Sequence, residues 1–179
     1  MDIPTQVVSF LSSRALKLAT AESCTAGFIA SLISSVPGSG ACLDVGFITS
    51  SPSGKAGFLG VQEKTMNRNG LTGEEVAREM SEGALRHEAC CANVSVSNTG
   101  VADGNAGSVP TPETQCFGWS FKLRSGEIIS ATETKVFDGD RNEVRHAAAQ
   151  YALSHIEHHF YHLVHASEQH ADRTEQDQR

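Results

Sequence analysis

Apolar residues recur at two periods along this chain, and the switches between those periods mark out its elements. Val7, Val8, Leu11 and Ala15 fall on one helical face, with Asp2 and Pro4 ahead of them as start signals. Leu18 to Ala21 reads as a short buried strand running into Glu22-Ser23-Cys24-Thr25-Ala26-Gly27. Phe28, Ile29, Leu32 and Ile33 return to helical spacing, which places that hexapeptide at a strand-to-helix turn. Val36-Pro37-Gly38-Ser39-Gly40 stops the helix, and Leu43, Val45, Phe47 and Ile48 predict a second strand over 43–49. A Ser/Pro/Gly turn at 50–54 leads to Lys55 and a short helical piece through Leu59.

Thr72 and Glu75 have capping-box spacing, ahead of a helix whose buried face is Val76, Met80, Ala84 and Leu85. Val94 and Val96 alternate with small polar residues over 93–99, as a strand requires. Gly100 to Thr114, rich in Gly and Pro, predicts a long surface loop. Residues 116–123 and 127–137 predict a hairpin closed by Ser125-Gly126. Asp140 then opens one long helix through Val144, Ala148, Ala152, Ile156, Phe160 and Leu163. Strands alternating with helices, followed by a hairpin, imply an α/β fold: a three-layer α/β/α sandwich around a mixed sheet. Residues 1–165 form one domain in this reading, and 166–179 a polar, disordered tail.

Composition narrows the function classes. A chain of 179 residues suits one domain with a real core. A net charge of −7 argues against nucleic acid, which needs clustered Lys and Arg. No stretch approaches the ~18 apolar residues that span a bilayer, and no signal peptide is visible. Cys24, Cys42, Cys90, Cys91 and Cys116 are odd in number and lack CxxC spacing, so reduced and mostly buried thiols are expected. These points together predict a cytoplasmic protein with no membrane or nucleic-acid partner.

Three irregular segments stand at strand ends, 22–27, 37–55 and 99–114, where open α/β sheets bind ligands. Ser23 and Thr25 sit where a helix begins, so their hydroxyls can hold an anion such as phosphate, or simply cap the helix. Residue types alone favour capping. Lys55 is either a desolvated base for a nearby serine or a solvated surface lysine. His155, His158, His159, His162 and His165 form one helical stripe opposite Ile156, Phe160 and Leu163. That stripe could build a metal-binding interaction module, but no Asp or Glu completes it, and a solvated face is the expectation.

Taken together, these segments resemble the CinA C-terminal domain family of nicotinamide mononucleotide (NMN) amidohydrolases over residues from about 15 to 160. Glu22-Ser23-Cys24-Thr25-Ala26-Gly27 matches the family's E-S-C-T-G-G signature in all but one residue. Val36-Pro37-Gly38-Ser39 matches its P-G-S-S turn up to the last serine, and Lys55 with Leu59-Gly60-Val61 matches the end of Y-S-N-E-A-K…L-G-V. Glu74-Glu75-Val76-Ala77, Thr99-Gly100-Val101-Ala102 and Gly139-Asp140-Arg141 with Val144-Arg145 follow in order. The resemblance implies a pyridine ribonucleotide substrate whose carboxamide becomes a carboxylate with release of ammonia, no cofactor or metal, and a homo-oligomer.

It also implies roles. Lys55 matches the base, while Thr99 and Arg141 match the threonine and arginine that hold substrate, beside Ser23 and Thr25. The departures are chemical: Gly40 stands at the second serine of P-G-S-S, Ser50 at the tyrosine, and Gln115 at the lysine of K-P-V-G. Asp103-Gly104 replaces a Gly-Pro pair. With the nucleophile assigned to position 40, lost or much weakened deamidase activity in a retained nucleotide pocket is expected. Two alternatives keep the enzyme active: a shifted serine such as Ser39, Ser50 or Ser51, or Ser23 itself as the nucleophile.

Overall fold

The computed structural model describes residues 1–102 and 113–167. A five-stranded mixed sheet, ordered β2-β1-β3-β4-β5, forms the middle layer. Its strands are β1 (Leu18–Glu22), β2 (Leu43–Ile48), β3 (Val94–Gly100), β4 (Glu113–Lys122) and β5 (Ile128–Phe137). β1 pairs parallel with both β2 and β3, whereas β4 and β5 run on antiparallel as a hairpin. The interior strand β1, paired on both sides, is buried at all five positions, which is why Leu18-Ala19-Thr20-Ala21 reads as a run and not as an alternation.

One face of the sheet carries α1 (Ile3–Ser13), α2 (Phe28–Ser34), α6 (Arg141–Ser154) and α7 (Ile156–His159). They close over Leu18, Val94, Val96, Phe117, Trp119 and Phe121. The other face carries α3 (Pro52–Leu59), α4 (Glu63–Asn69) and α5 (Glu74–Arg86) over Ala19 and Ala21. This is the expected three-layer sandwich. α5 lies very close to its neighbours. A Cβ on Gly83 would stand 1.8 Å from the Leu59 carbonyl oxygen, and one on Gly118 would stand 2.6 Å from that of Ala77.

Local expectations fail in three places. The capping box falls elsewhere: α5 starts from Gly73 with no side-chain cap, and Glu75 pairs with Arg78 and Asn69 instead. A true capping box opens α6, where Asp140 accepts from the Asn142 and Glu143 amides and the Glu143 carboxylate accepts from the Asp140 amide. The last helix is also not continuous. It breaks at His155, and a π-helical turn spans Phe160–His165 before the chain continues helical through 167. Residues 166 and 167 therefore extend that helix, and 168–179 lie outside the described residues, as does 103–112 of the Gly100–Thr114 loop.

That break turns part of the histidine stripe inward. His159 is buried against Trp119, with ring centroids 4.4 Å apart, and its Nε2 lies 3.0 Å from the Glu133 carboxylate on β5. Burial lowers the His159 pKa, and the neighbouring Glu133 opposes that shift. His155 stacks on Tyr151 at 4.0 Å, while His158 and His162 stay exposed. Among the described residues no group of three or more His, Cys, Asp or Glu is placed to share a metal ion. No helix among them is long and apolar enough to cross a membrane, and the five cysteines form no disulfide.

Candidate active site

The signature hexapeptide leaves β1 at the carboxyl end of the parallel strands, and two backbone contacts aim it. The Ser23 amide donates to the Asn98 carbonyl on β3 at 2.9 Å, and the Thr49 amide donates to the Glu22 carbonyl at 2.8 Å. Ser23 is left half-buried at the strand tip. Next to it, α3 begins with Ser51 as N-cap, its Oγ accepting from the Gly54 amide at 3.0 Å, and with Pro52 at the first helical position. One helical turn on, this start turns Lys55 inward.

Lys55 is fully buried, and its Nζ lies 2.8 Å from Ser23 Oγ and donates to the Thr49 carbonyl. Burial pushes the Lys55 pKa down from 10.5 to about 8. A buried amine with a depressed pKa, in hydrogen-bond contact with a half-exposed hydroxyl, is the arrangement a serine nucleophile and its base require. Of the two sequence readings of Lys55, the solvated surface lysine is excluded. The hydrogen bonds of Lys55 go to Ser23 and Thr49, and not to Ser39 or Ser50. Ser39 is buried in the 3-10 turn Ser39–Ala41, and Ser50 is exposed just ahead of α3.

Of the remaining nominated residues Thr25 braces this turn, while Thr99 and Arg141 bond to carbonyls elsewhere. Thr25 is fully buried and its hydroxyl donates to the Glu22 carboxylate at 2.7 Å. The same carboxylate accepts from the amides of Gly27, Ile29 and Ala30 at 2.8, 3.1 and 3.0 Å. The amides at the start of α2, offered by sequence to a phosphate, are thus bonded to an internal anion. Neither hydroxyl caps α2: Ser23 Oγ meets Lys55, Thr25 donates to Glu22, and the Glu22 carboxylate takes the amides. Thr99 is likewise buried, its hydroxyl donating to the Leu71 carbonyl, and Arg141 donates to the Ala102 carbonyl at 3.0 Å.

Four side chains that sequence reasoning did not nominate complete the brace. Glu22 is one. Asn98 accepts from the Thr25 amide at 3.1 Å and donates to Gln115 at 2.9 Å, and Gln115 reaches the Val101 carbonyl at 2.7 Å and Cys24 Sγ at 3.5 Å. Gln115 therefore fills the position of the family lysine with a neutral bridge. Arg145 donates to the carbonyls of Cys24 and Thr25 at 2.9 and 3.3 Å, with its guanidinium 4.4 Å from the Phe28 ring centre. The signal for these residues was polar identity at positions that the pattern requires to be buried, and it names no partner.

The turn also holds local strain. Ala26 adopts φ +48°, next to Gly27 at +96°. Ala26 is the one residue of the hexapeptide that departs from E-S-C-T-G-G, and it sits where glycine is least strained.

A profile of the CinA C-terminal domain matches residues 1–160. The nicotinamide-nucleotide amidohydrolase PncC of Escherichia coli strain K12 is 39% identical over 153 residues, covering 86% of this chain and 90% of that protein. A CinA-like protein of Chlorobaculum tepidum is 38% identical over 148 residues, 82% of this chain and 34% of its own length. In structure, the competence damage-inducible protein A of Klebsiella pneumoniae superposes with a TM-score of 0.79 at 29% identity, covering 90% of this chain and 96% of that one.

Proposed function

The chain belongs to the CinA C-terminal domain family, and from that premise we propose that it is an active amidohydrolase using Ser23 as nucleophile and Lys55 as base. Its substrate in this reading is a pyridine ribonucleotide carboxamide of the NMN type. The observation that carries the proposal is the 2.8 Å contact between the Nζ of the buried Lys55 and Ser23 Oγ. It favours the Ser23 reading over assignment of the nucleophile to position 40, so Gly40 no longer argues for a lost activity. The similarity to an enzyme named nicotinamide-nucleotide amidohydrolase supports the substrate class.

The chemistry follows from the pair. Neutral Lys55 takes the Ser23 proton as Oγ attacks the carboxamide carbon, giving a tetrahedral oxyanion. The lysine ammonium then passes that proton to the leaving nitrogen, the C–N bond breaks, and ammonia departs from an ester on Ser23. Water, deprotonated by the same lysine, attacks the ester. It releases the carboxylate and restores the Ser23 hydroxyl. Glu22, Asn98, Gln115 and Arg145 hold the turn so that Ser23 stays within reach of its base.

The test is ammonia release from NMN by the purified protein and by Ser23→Ala, Lys55→Ala and Ser39→Ala. The first two variants lose about a thousandfold or more in kcat, and Ser39→Ala keeps turnover. Because the neutral lysine is the base, the wild-type rate climbs as pH rises through about 8. Turnover that survives Ser23→Ala and disappears in Ser39→Ala would reassign the nucleophile. Saturable binding of NMN with no turnover in the wild type would return the chain to the impaired pocket, with Ser50 in place of tyrosine as its cause.

A further inference from the structure

A cavity lies at the other end of the strands from Ser23. Leu16, just ahead of β1, and Val94, the first residue of β3, help line it, so it sits a strand's length, roughly 16 Å, from the Ser23 end. Its volume is about 440 Å³, within the range that encloses small organic ligands. The floor is apolar and partly aromatic, from Phe121 and Val164, both buried, and Phe160. The rim carries the guanidinium groups of Arg14 and Arg124, with His165 beside them.

Among the described residues no Asp or Glu lines this cavity, although acidic residues outnumber Lys and Arg by 21 to 14 in the chain. The Arg14 guanidinium is also held in place. It stands 4.4 Å from the Phe10 ring centre and 5.4 Å from that of Tyr161, and donates to the Tyr161 hydroxyl and to Ser13 Oγ. An arginine stacked on aromatic rings gives up little conformational freedom when it pairs with an anion, and its planar fork suits a carboxylate or sulfonate. The π-helical turn Phe160–His165 supplies one wall, bringing Phe160, Tyr161, Val164 and His165 to the same cavity. Such turns often mark functional sites.

We propose that this cavity binds a small organic anion with a flat apolar body, an aryl carboxylate or aryl sulfonate. The ring lies on the Phe121–Phe160 floor and the anionic group meets Arg14 and Arg124. The site is independent of Ser23 and Lys55 and does not rest on the amidohydrolase reading.

The test is calorimetric titration of the purified protein with 2-naphthoate, naphthalene-2-sulfonate and, as a neutral control, 2-naphthylmethanol. One-to-one saturable binding of both anions is expected, with the alcohol and the Arg14→Ala or Arg124→Ala variants each weaker by about tenfold or more. Ser23→Ala binds as the wild type does. Arg124→Ala carries the test if Arg14→Ala, which also loses stacking on Phe10, fails to fold. Three results overturn the proposal: no saturable binding of either anion, equal binding of the alcohol, or binding unchanged in every arginine variant that folds.

Discussion

The two faces of the central sheet are built from different materials. Against α6 and α7 the sheet presents Phe117, Trp119 and Phe121, which pack with Tyr151, His155, His159 and Phe160 in a continuous aromatic layer. Against α5 the same strand presents Gly118 and Ser120, and the contacts are polar and close. Ser81 bonds Ser120 at 2.6 Å, Ser97 donates to the Ala77 carbonyl at 2.5 Å, and Lys122 donates to the Leu85 carbonyl at 2.9 Å. The alternation of β4 separates them, since successive side chains point to opposite faces. The aromatic face gains stability from buried area. The small-residue face gains close backbone approach, and it carries Lys55 on α3.

This comparison predicts that damage to the two faces will separate stability from catalysis. The largest effect is expected for Trp119→Ala, which empties the aromatic layer and removes the 2.8 Å bond from the indole to the Ala152 carbonyl. Thermal or denaturant unfolding should show a loss of about 3–5 kcal/mol, with ammonia release per folded molecule unchanged. A proportional fall in kcat would show that the aromatic face also shapes the site. Gly83→Ala should behave differently, because its methyl group drives the Leu59 end of α3 away from α5. A smaller stability loss of about 1–3 kcal/mol is expected, with turnover reduced about 10- to 100-fold because α3 carries Lys55. Unchanged kcat in that variant would mean α3 shifts without moving Lys55.

The smallest effect lies in the turn itself. Ala26→Gly relieves a left-handed alanine and should raise unfolding stability by about 1 kcal/mol at most, leaving turnover intact. A destabilised variant would show that the Ala26 methyl group packs usefully despite its strained backbone.

The lysine links stability to pH in the same direction as it links activity. Its folded pKa, about 8, lies below the ordinary 10.5, so between those values the unfolded chain holds the proton that the folded protein has released. Stability therefore rises with pH across that window. For His159, whose pKa is lowered from 6.5, the sign is the same at lower pH: acidification below 6.5 favours the unfolded chain, which takes up the proton more readily.

Much of this was legible in the residues. Hydrophobic period set all five strands to within a few positions, and breakers such as Pro37-Gly38 and Ser125-Gly126 set the connections, because both signals are local. The order of short motifs identified the family, several of them at the ends of strands and the starts of helices. Lys55 was legible as a position but not as a state. Its burial, and hence its depressed pKa, depends on α3 docking at the end of β1, where its Nζ reaches Ser23 and Thr49. The proposed nucleophile was legible only as a choice among serines, since Ser23 and Lys55 are 32 residues apart and meet only because β1 ends beside the inner face of α3. Similarly, the histidine stripe reads as one face on an ideal helix, while Trp119 and Glu133, from distant strands, decide that His155 and His159 turn inward. Sequence by itself thus determined the elements, their order and the family, which rest on local backbone and patterning energies. Which hydroxyl meets the lysine, which carboxylate takes the α2 amides and which imidazoles lose water were decided by long-range packing, where burial sets the protonation and the partner of every polar group.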